Sequence, residues 1–336
     1  MEDNQIKALL KTVALLLLLF SIFLTSGCVK TVKSTAVNLK TYDRLPASSL
    51  LEKVNSLQSI NTLTANASIR VTDLKLSEQG KIEPYHPADG LIVLQRPEQI
   101  RMLIRVPVIK QNIADMTSDG EQFKIAIYYP DEYKQFLVGT NNSNYEDRLE
   151  QWKNDNPDKQ KISSFVKIRP HHITEALLLK TVDLADGQIS YFISDTKQEE
   201  EEFLANGKTR RVVRNYQVLH VLEKSEGQEL KLQRQFWFDR TQPSIPLAKA
   251  LFFGANGSLT SEVSYKRYQK YEDGTVWPQI VELTRAQDRY SLELTFSNIT
   301  HNNEINKRAF VLENDQKLPL RDLDTRQQTP RTSPDQ

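Results

Sequence analysis

GLIVLQRPEQIRMLIRVP, residues Gly90–Pro107, decides the fold. Its second half alternates: Ile100, Met102, Ile104 and Val106 point one way, Arg101 and Arg105 the other. A period of two belongs to a strand, whose successive side chains leave opposite faces of the backbone. The run from Gly90 to Leu94 reads as a second strand, and Arg96-Pro97 as the turn between them. Strands that follow one another directly, half apolar and half charged, make antiparallel sheet with one dry and one wet face.

The pattern repeats outward. Phe123, Ile125 and Ile127 share a face in QFKIAIYY; so do Leu230, Leu232, Phe236 and Phe238, and Tyr290, Leu292, Leu294 and Phe296. Further strands are expected at 64–72, 90–95, 135–139, 188–195, 212–222, 259–268 and 278–285, about eleven in all. Ser118-Asp119-Gly120 and Asp273-Gly274 mark tight turns. Helical spacing appears behind Pro46, where Leu50, Val54 and Leu57 form a stripe widened by Leu51 and Ile60, and again in NYEDRLEQW and RPHHITEALLL between 141 and 182. The fold class is therefore α+β: one large curved antiparallel sheet, with a few helices covering its apolar face.

The amino-terminal stretch LLLLLFSIFLTSGCVK, residues 15–30, holds the single cysteine of the 336-residue chain. The apolar run Val13–Leu24 is short for a span, which needs about 20 residues, and Lys7 and Lys11 precede it as in a secretory signal. Leu24-Thr25-Ser26-Gly27-Cys28 resembles the lipobox of bacterial lipoproteins, with Thr25 where that family usually has leucine. The resemblance implies removal of residues 1–27 and a diacylglycerol and N-acyl group on Cys28. Because Val29 is not aspartate, it also implies the outer membrane, periplasmic face. An ordinary cleaved signal or an uncleaved anchor would share the layout, but the position of the lone cysteine favours lipidation. Residues 28–45 read as the lipidated terminus and a flexible tether, 46–315 as one domain and 316–336 as a disordered tail.

A net charge of +1, with no clustered basic excess, argues against nucleic acid as partner. With no second cysteine, stability rests on an apolar core, for which the length is ample.

Three patches resemble the LolA/LolB-like family of periplasmic lipoprotein carriers and receptors: Gly90–Pro107, the hairpin Ser118–Gly139, and the carboxy-terminal run from Tyr265 to Leu312. The resemblance implies an open half-barrel whose concave apolar face, lidded by helices, holds lipid or lipoprotein acyl chains. Ile100, Met102, Ile104, Phe123, Ile125 and Ile127 would line it, or would simply form core. Leu74 or Leu76 would stand for the receptor's protruding apolar loop. The implied function is acyl-chain binding in lipid or lipoprotein localisation, with other envelope proteins as further partners. The alternative is a non-enzymatic envelope sensor or scaffold of the same fold with a closed core.

Enzyme chemistry is not expected. In the pair His171-His172, with Glu175 three residues after His172, one imidazole and one carboxylate could share a helical face, but two ligands do not make a zinc site and no third is evident. No G-x-S-x-G elbow or phosphate-cradling glycine loop occurs, and Asp115 and Asp119 read as turn residues rather than a catalytic pair. No cofactor or metal is implied. The acidic run Glu199–Glu202, opposite Lys208, Arg210 and Arg211, reads as a solvated hairpin tip.

Overall fold

Alternating strands joined by short turns pair most readily with their neighbours, and most do so here. A computed structural model describes residues 35–74, 87–107, 111–141, 143, 145, 168–185, 187–204, 206–224 and 229–325. The strands are β1 (Val37–Asn38), β2 (Thr62–Asp73), β3 (Ala88–Gln95), β4 (Gln99–Arg105), β5 (Asn112–Ser118), β6 (Gln122–Ile127), β7 (Gln135–Thr140), β8 (Ile189–Phe203), β9 (Thr209–Lys224), β10 (Leu230–Asp239), β11 (Leu247–Phe253), β12 (Leu259–Lys270), β13 (Val276–Arg285), β14 (Tyr290–His301) and β15 (Leu320–Asp322). Two α-helices accompany them among the described residues, α1 (Ala47–Ser56) and α2 (Pro170–Leu177).

The strand order is β1-β9-β10-β11-β12-β13-β14-β2-β3-β4-β5-β6-β7-β15, with β8 paired to β9, so the sheet does not close on itself. Two meanders, β2 to β7 and β9 to β14, meet at the antiparallel seam between β14 and β2. Among the described residues only β1 on β9 and β15 on β7 pair in parallel.

The chain divides into two compact units. The smaller contains Glu199–Val213 and the stretch up to Asn38; the larger contains Leu39–Gln198 and Arg214–Gln336. Within the larger unit, register aligns apolar side chains across the sheet. One row runs Ala65, Ile92, Met102, Met116, Ile125, Leu137. On the other side of the seam Leu283, Val263, Ala250, Phe236 and Leu219 continue the face. The helix α2 packs on both β13 and β5, five places apart in the order. Five strand spacings make about 24 Å when flat, twice the ~12 Å length of an eight-residue helix. The sheet of this unit therefore curves around its helix.

Among the described residues fifteen strands stand where about eleven were expected. The four extra are β1 and β15, too short to show a period, and β5 and β11. In β5 both faces are dry, since Asp115 and Thr117 are buried as well as Ala114 and Met116, so alternation disappears. The sequence of β11, LAKALFF, is rich in helix-favouring residues.

Described residues of the stretch expected to be a tether, up to 45, are docked on the sheet. Tyr42 donates its N–H to the Arg240 carbonyl at 2.8 Å and accepts from the Arg240 guanidinium. The buried Gln217 side chain closes a double hydrogen bond with the backbone of Leu45. The tail expected to be disordered from 316 continues as ordered structure through β15, with Leu318 and Leu323 buried. Residues 1–34, including Cys28, lie outside the described residues, as do Leu76, residues 146–152 of the expected helix NYEDRLEQW, and 326–336.

Candidate functional site

All six residues expected to line an acyl-chain site come together on the concave face of the larger unit. Ile100, Met102, Ile104, Phe123, Ile125 and Ile127 are each at most 5% exposed. They are covered, because α1 lays Leu50 and Val54 onto the same core and α2 with its following turn adds Ile173, Ala176, Leu177, Leu178 and Leu179. In both helices apolar residues recur at helical spacing, and Pro170 at the first turn of α2 fits a position whose N–H needs no partner.

The cover is tied down by polar side chains reaching backbone carbonyls. Arg96, in the turn after β3, donates Nε to Ile60 O (3.0 Å) and Nη2 to Leu57 O (3.2 Å) behind α1. Its Nη1 reaches Leu178 O (3.3 Å) and Leu179 O (3.2 Å) behind α2. One guanidinium thus holds both helix ends, where carbonyls lack intrahelical donors. Tyr265 Oη donates to Ala176 O (2.8 Å), and Gln58 Nε2 to Leu179 O (3.2 Å). The sequence shows Arg96 only as a turn residue; its partners lie far along the chain.

Beneath α2 sits a polar cluster. His172 is buried, with Nδ1 2.8 Å from Tyr290 Oη. Burial, aided by the Arg169 and Arg285 charges, lowers His171 to about 3, and burial likewise holds His172 well below the ordinary histidine range. Glu175 accepts from Ser261 Oγ (3.3 Å), which accepts from Arg285 Nη1 (2.7 Å). Burial raises the Glu175 carboxyl. Both imidazoles are therefore neutral. Among the described residues no three candidate ligands gather as a metal site.

Asp115 and Asp119 are not brought together for chemistry. Asp115 takes a two-point ion pair from Arg101, at 3.1 and 2.7 Å, while Asp119 caps the turn by accepting the N–H groups of Glu121 and Gln122.

At the rim, Leu57, Pro246, Leu247, Tyr268 and Val276 line a cleft of about 290 Å³, beside Lys53. Leu247 belongs to the main core, and Leu57 and Tyr268 pack against it. Val276 is 43% exposed. The cleft is thus a mainly apolar mouth open to solvent at the edge of α1, with side chains of the covered core in its wall. A wider cleft of about 560 Å³ lies on the other face of β4, β6 and β7, over Ala126, Phe136, Leu312 and Leu318. Its Arg101 is already committed to Asp115 and to Ala309 O.

No family model and no curated protein sequence matches the chain. Its structural neighbours include the LolA superfamily. A LolA superfamily protein from Nitrosomonas europaea is 12% identical, with a TM-score of 0.43 over 80% of this chain and 99% of that one. A DUF1329 family protein from Desulfovibrio piger gives 12% identity and 0.44, covering 78% and 95%. A domain described as an outer membrane lipoprotein-sorting protein, from Vibrio parahaemolyticus, gives 11% and 0.41, covering 77% and 95%.

Proposed function

We propose that the larger unit binds a lipid acyl chain between its curved sheet and the two helices, in lipid or lipoprotein localisation at the outer membrane. The observation that carries this reading is an apolar face continuous across the sheet, with a cover tied by side-chain to backbone hydrogen bonds and an apolar mouth at its rim. Such ties exchange for water when the cover parts, whereas the apolar surfaces exchange for an acyl chain at ~0.8 kcal/mol per buried CH₂. About ten methylenes would supply ~8 kcal/mol towards displacing α1. Acylated Cys28 holds the protein on the periplasmic face, and no covalent step is involved.

A second reading is favoured by the near-complete burial of the six lining residues: an envelope sensor or scaffold whose face stays closed as core. Lipid extraction and native mass spectrometry of the purified Cys28→Ser protein separate the two. Stoichiometric co-purified lipid, or saturable uptake of a fluorescent fatty acid, supports the carrier. A protein that holds no lipid and takes up none is a scaffold. Membrane release or failed processing of the same variant tests the anchor.

A further inference from the structure

The smaller unit carries an exposed aromatic residue at the end of a hairpin. Strands β8 and β9 are joined by a turn closed by Leu204 N–H to Lys208 O (2.8 Å) and Gly207 N–H to Leu204 O (2.9 Å), with Gly207 at φ +76°. Phe203, the last residue of β8, is 79% exposed, the most exposed large apolar side chain among the described residues. Behind it Arg210 pairs with Glu202 at 2.6 Å and Arg211 with Glu199. Lys208 is exposed and sits in the same turn, opposite Leu204.

Strand β1 gives this end a direction. Val37 pairs with Val212 and Asn38 with Val213, in parallel. Strand β9 runs away from the turn, so β1 runs away from it too, and the chain preceding Val37 comes in from the turn side. Cys28 is nine residues earlier in the sequence, a leash of at most ~30 Å. Thr209, at the turn, is only three residues from Val212, about 10 Å along the strand.

We infer that the β8–β9 turn is a membrane contact, with Phe203 seated at the headgroup–acyl boundary of the bilayer that holds the Cys28 anchor. The occupant is a lipid surface because the anchored chain approaches from the side of the turn and its leash outreaches the distance to it. The chemistry at the turn also fits. An aromatic ring suits the interface, a neighbouring lysine can reach phosphates while its stem stays in the apolar layer, and the arginines that follow are ion-paired. The inference rests on the anchor reading of Cys28 but not on acyl-chain binding by the larger unit.

The test uses the full chain, purified from membranes and reconstituted into phosphatidylethanolamine–phosphatidylglycerol vesicles. An environment-sensitive thiol fluorophore is placed at Phe203→Cys and, as control, at Phe192→Cys, which is also surface-exposed. Emission at 203 is expected to shift to the blue and to be quenched by brominated acyl chains, while 192 stays solvent-like. Emission at 203 that stays solvent-like on floating vesicles overturns the contact and leaves the anchor standing. A blue shift without bromine quenching also overturns it, pointing to a protein partner or a second copy. The wild-type chain reports separately on the anchor. If Cys28 takes the fluorophore and the protein fails to float, the anchor reading falls and the contact with it.

Discussion

Replacing Arg96 with methionine keeps an unbranched apolar stem and removes every donor. Three nitrogens reach four carbonyls, at 3.0 to 3.3 Å, from the segments behind both α1 and α2. Hydrogen bonds to a charged donor contribute about 1.5–3 kcal/mol each when buried. Arg96 is only half-buried, and water can reach carbonyls at a helix end, so about 1 kcal/mol per donor is reasonable, or ~3 kcal/mol together. For a chain of this size each kcal/mol moves the melting temperature by about 2 °C, giving a fall of ~6 °C. The loss falls on the covered state, so the cover should also part more often. Uptake of a fluorescent fatty acid should therefore quicken, by up to about 100-fold if all ~3 kcal/mol falls on the closed form. Thermal unfolding by circular dichroism and stopped-flow uptake measure the two effects. Arg96→Lys, with one compact charge, should fall between wild type and Arg96→Met in both. A melting temperature within 1 °C of wild type would refute the tie, and a lowered one with unchanged uptake would show that Arg96 stabilises the fold without governing access.

At the mouth, Val276→Asp should leave stability within about 0.5 kcal/mol, since the side chain is largely exposed. It should weaken fatty-acid binding about tenfold, or ~1.4 kcal/mol; unchanged affinity would place the route elsewhere. In β3, a Cβ on Gly90 would run into Ile69 Cδ1 and lie 3.3 Å from Leu103 O, so Gly90→Ala should cost about 1–3 kcal/mol. Adding Ile69→Val, which removes that methyl, should restore part of it in a denaturation series. The buried histidines make stability depend on pH. Their folded pKa lies below the unfolded value, so the unfolded chain binds more protons between about 6.5 and the folded value, about 3 for His171. Stability is then full above ~6.5 and falls as pH drops, by up to ~1.4 kcal/mol per pH unit per histidine. Glu175, raised by burial, has the opposite sign, losing stability as pH rises through its own range. Urea midpoints for His171→Leu should therefore fall less steeply than wild type on acidification, and parallel slopes would refute the assignment.

How much of this was legible depended on how many faces of an element are wet. The strands β4, β6, β10 and β14 have a solvated side, so Arg101, Lys124, Gln235 and Glu293 alternate with buried neighbours. The strand β5 lost that signal because Arg101 and the segment around Ala309 dry its outer face. The six lining residues were readable for the same reason as β4 and β6, but their being covered was not, since periodicity does not tell a packed face from an open one. The mouth was invisible because Leu57, Leu247 and Val276 meet only after three distant turns are brought together. Arg96 was visible as a residue and hidden as a tie, because side-chain to backbone bonds leave no mark on the partner's identity.

The seam between β14 and β2 has a kinetic consequence. It joins residues such as Arg70 and Glu293, separated by 223 positions, while nearly every other pairing links consecutive strands. Each meander can assemble early from local contacts, but loop closure delays the union of the two. Until then β2 and β14 are both free edges, each with one apolar side, and each is the natural template for the wrong strand. A half-assembled chain is therefore at greatest risk of pairing with a second chain at these two strands. A circular permutant that joins residue 336 to residue 1 and opens the chain between β7 and β8 would roughly halve the sequence separation across the seam, and should refold faster with less aggregation.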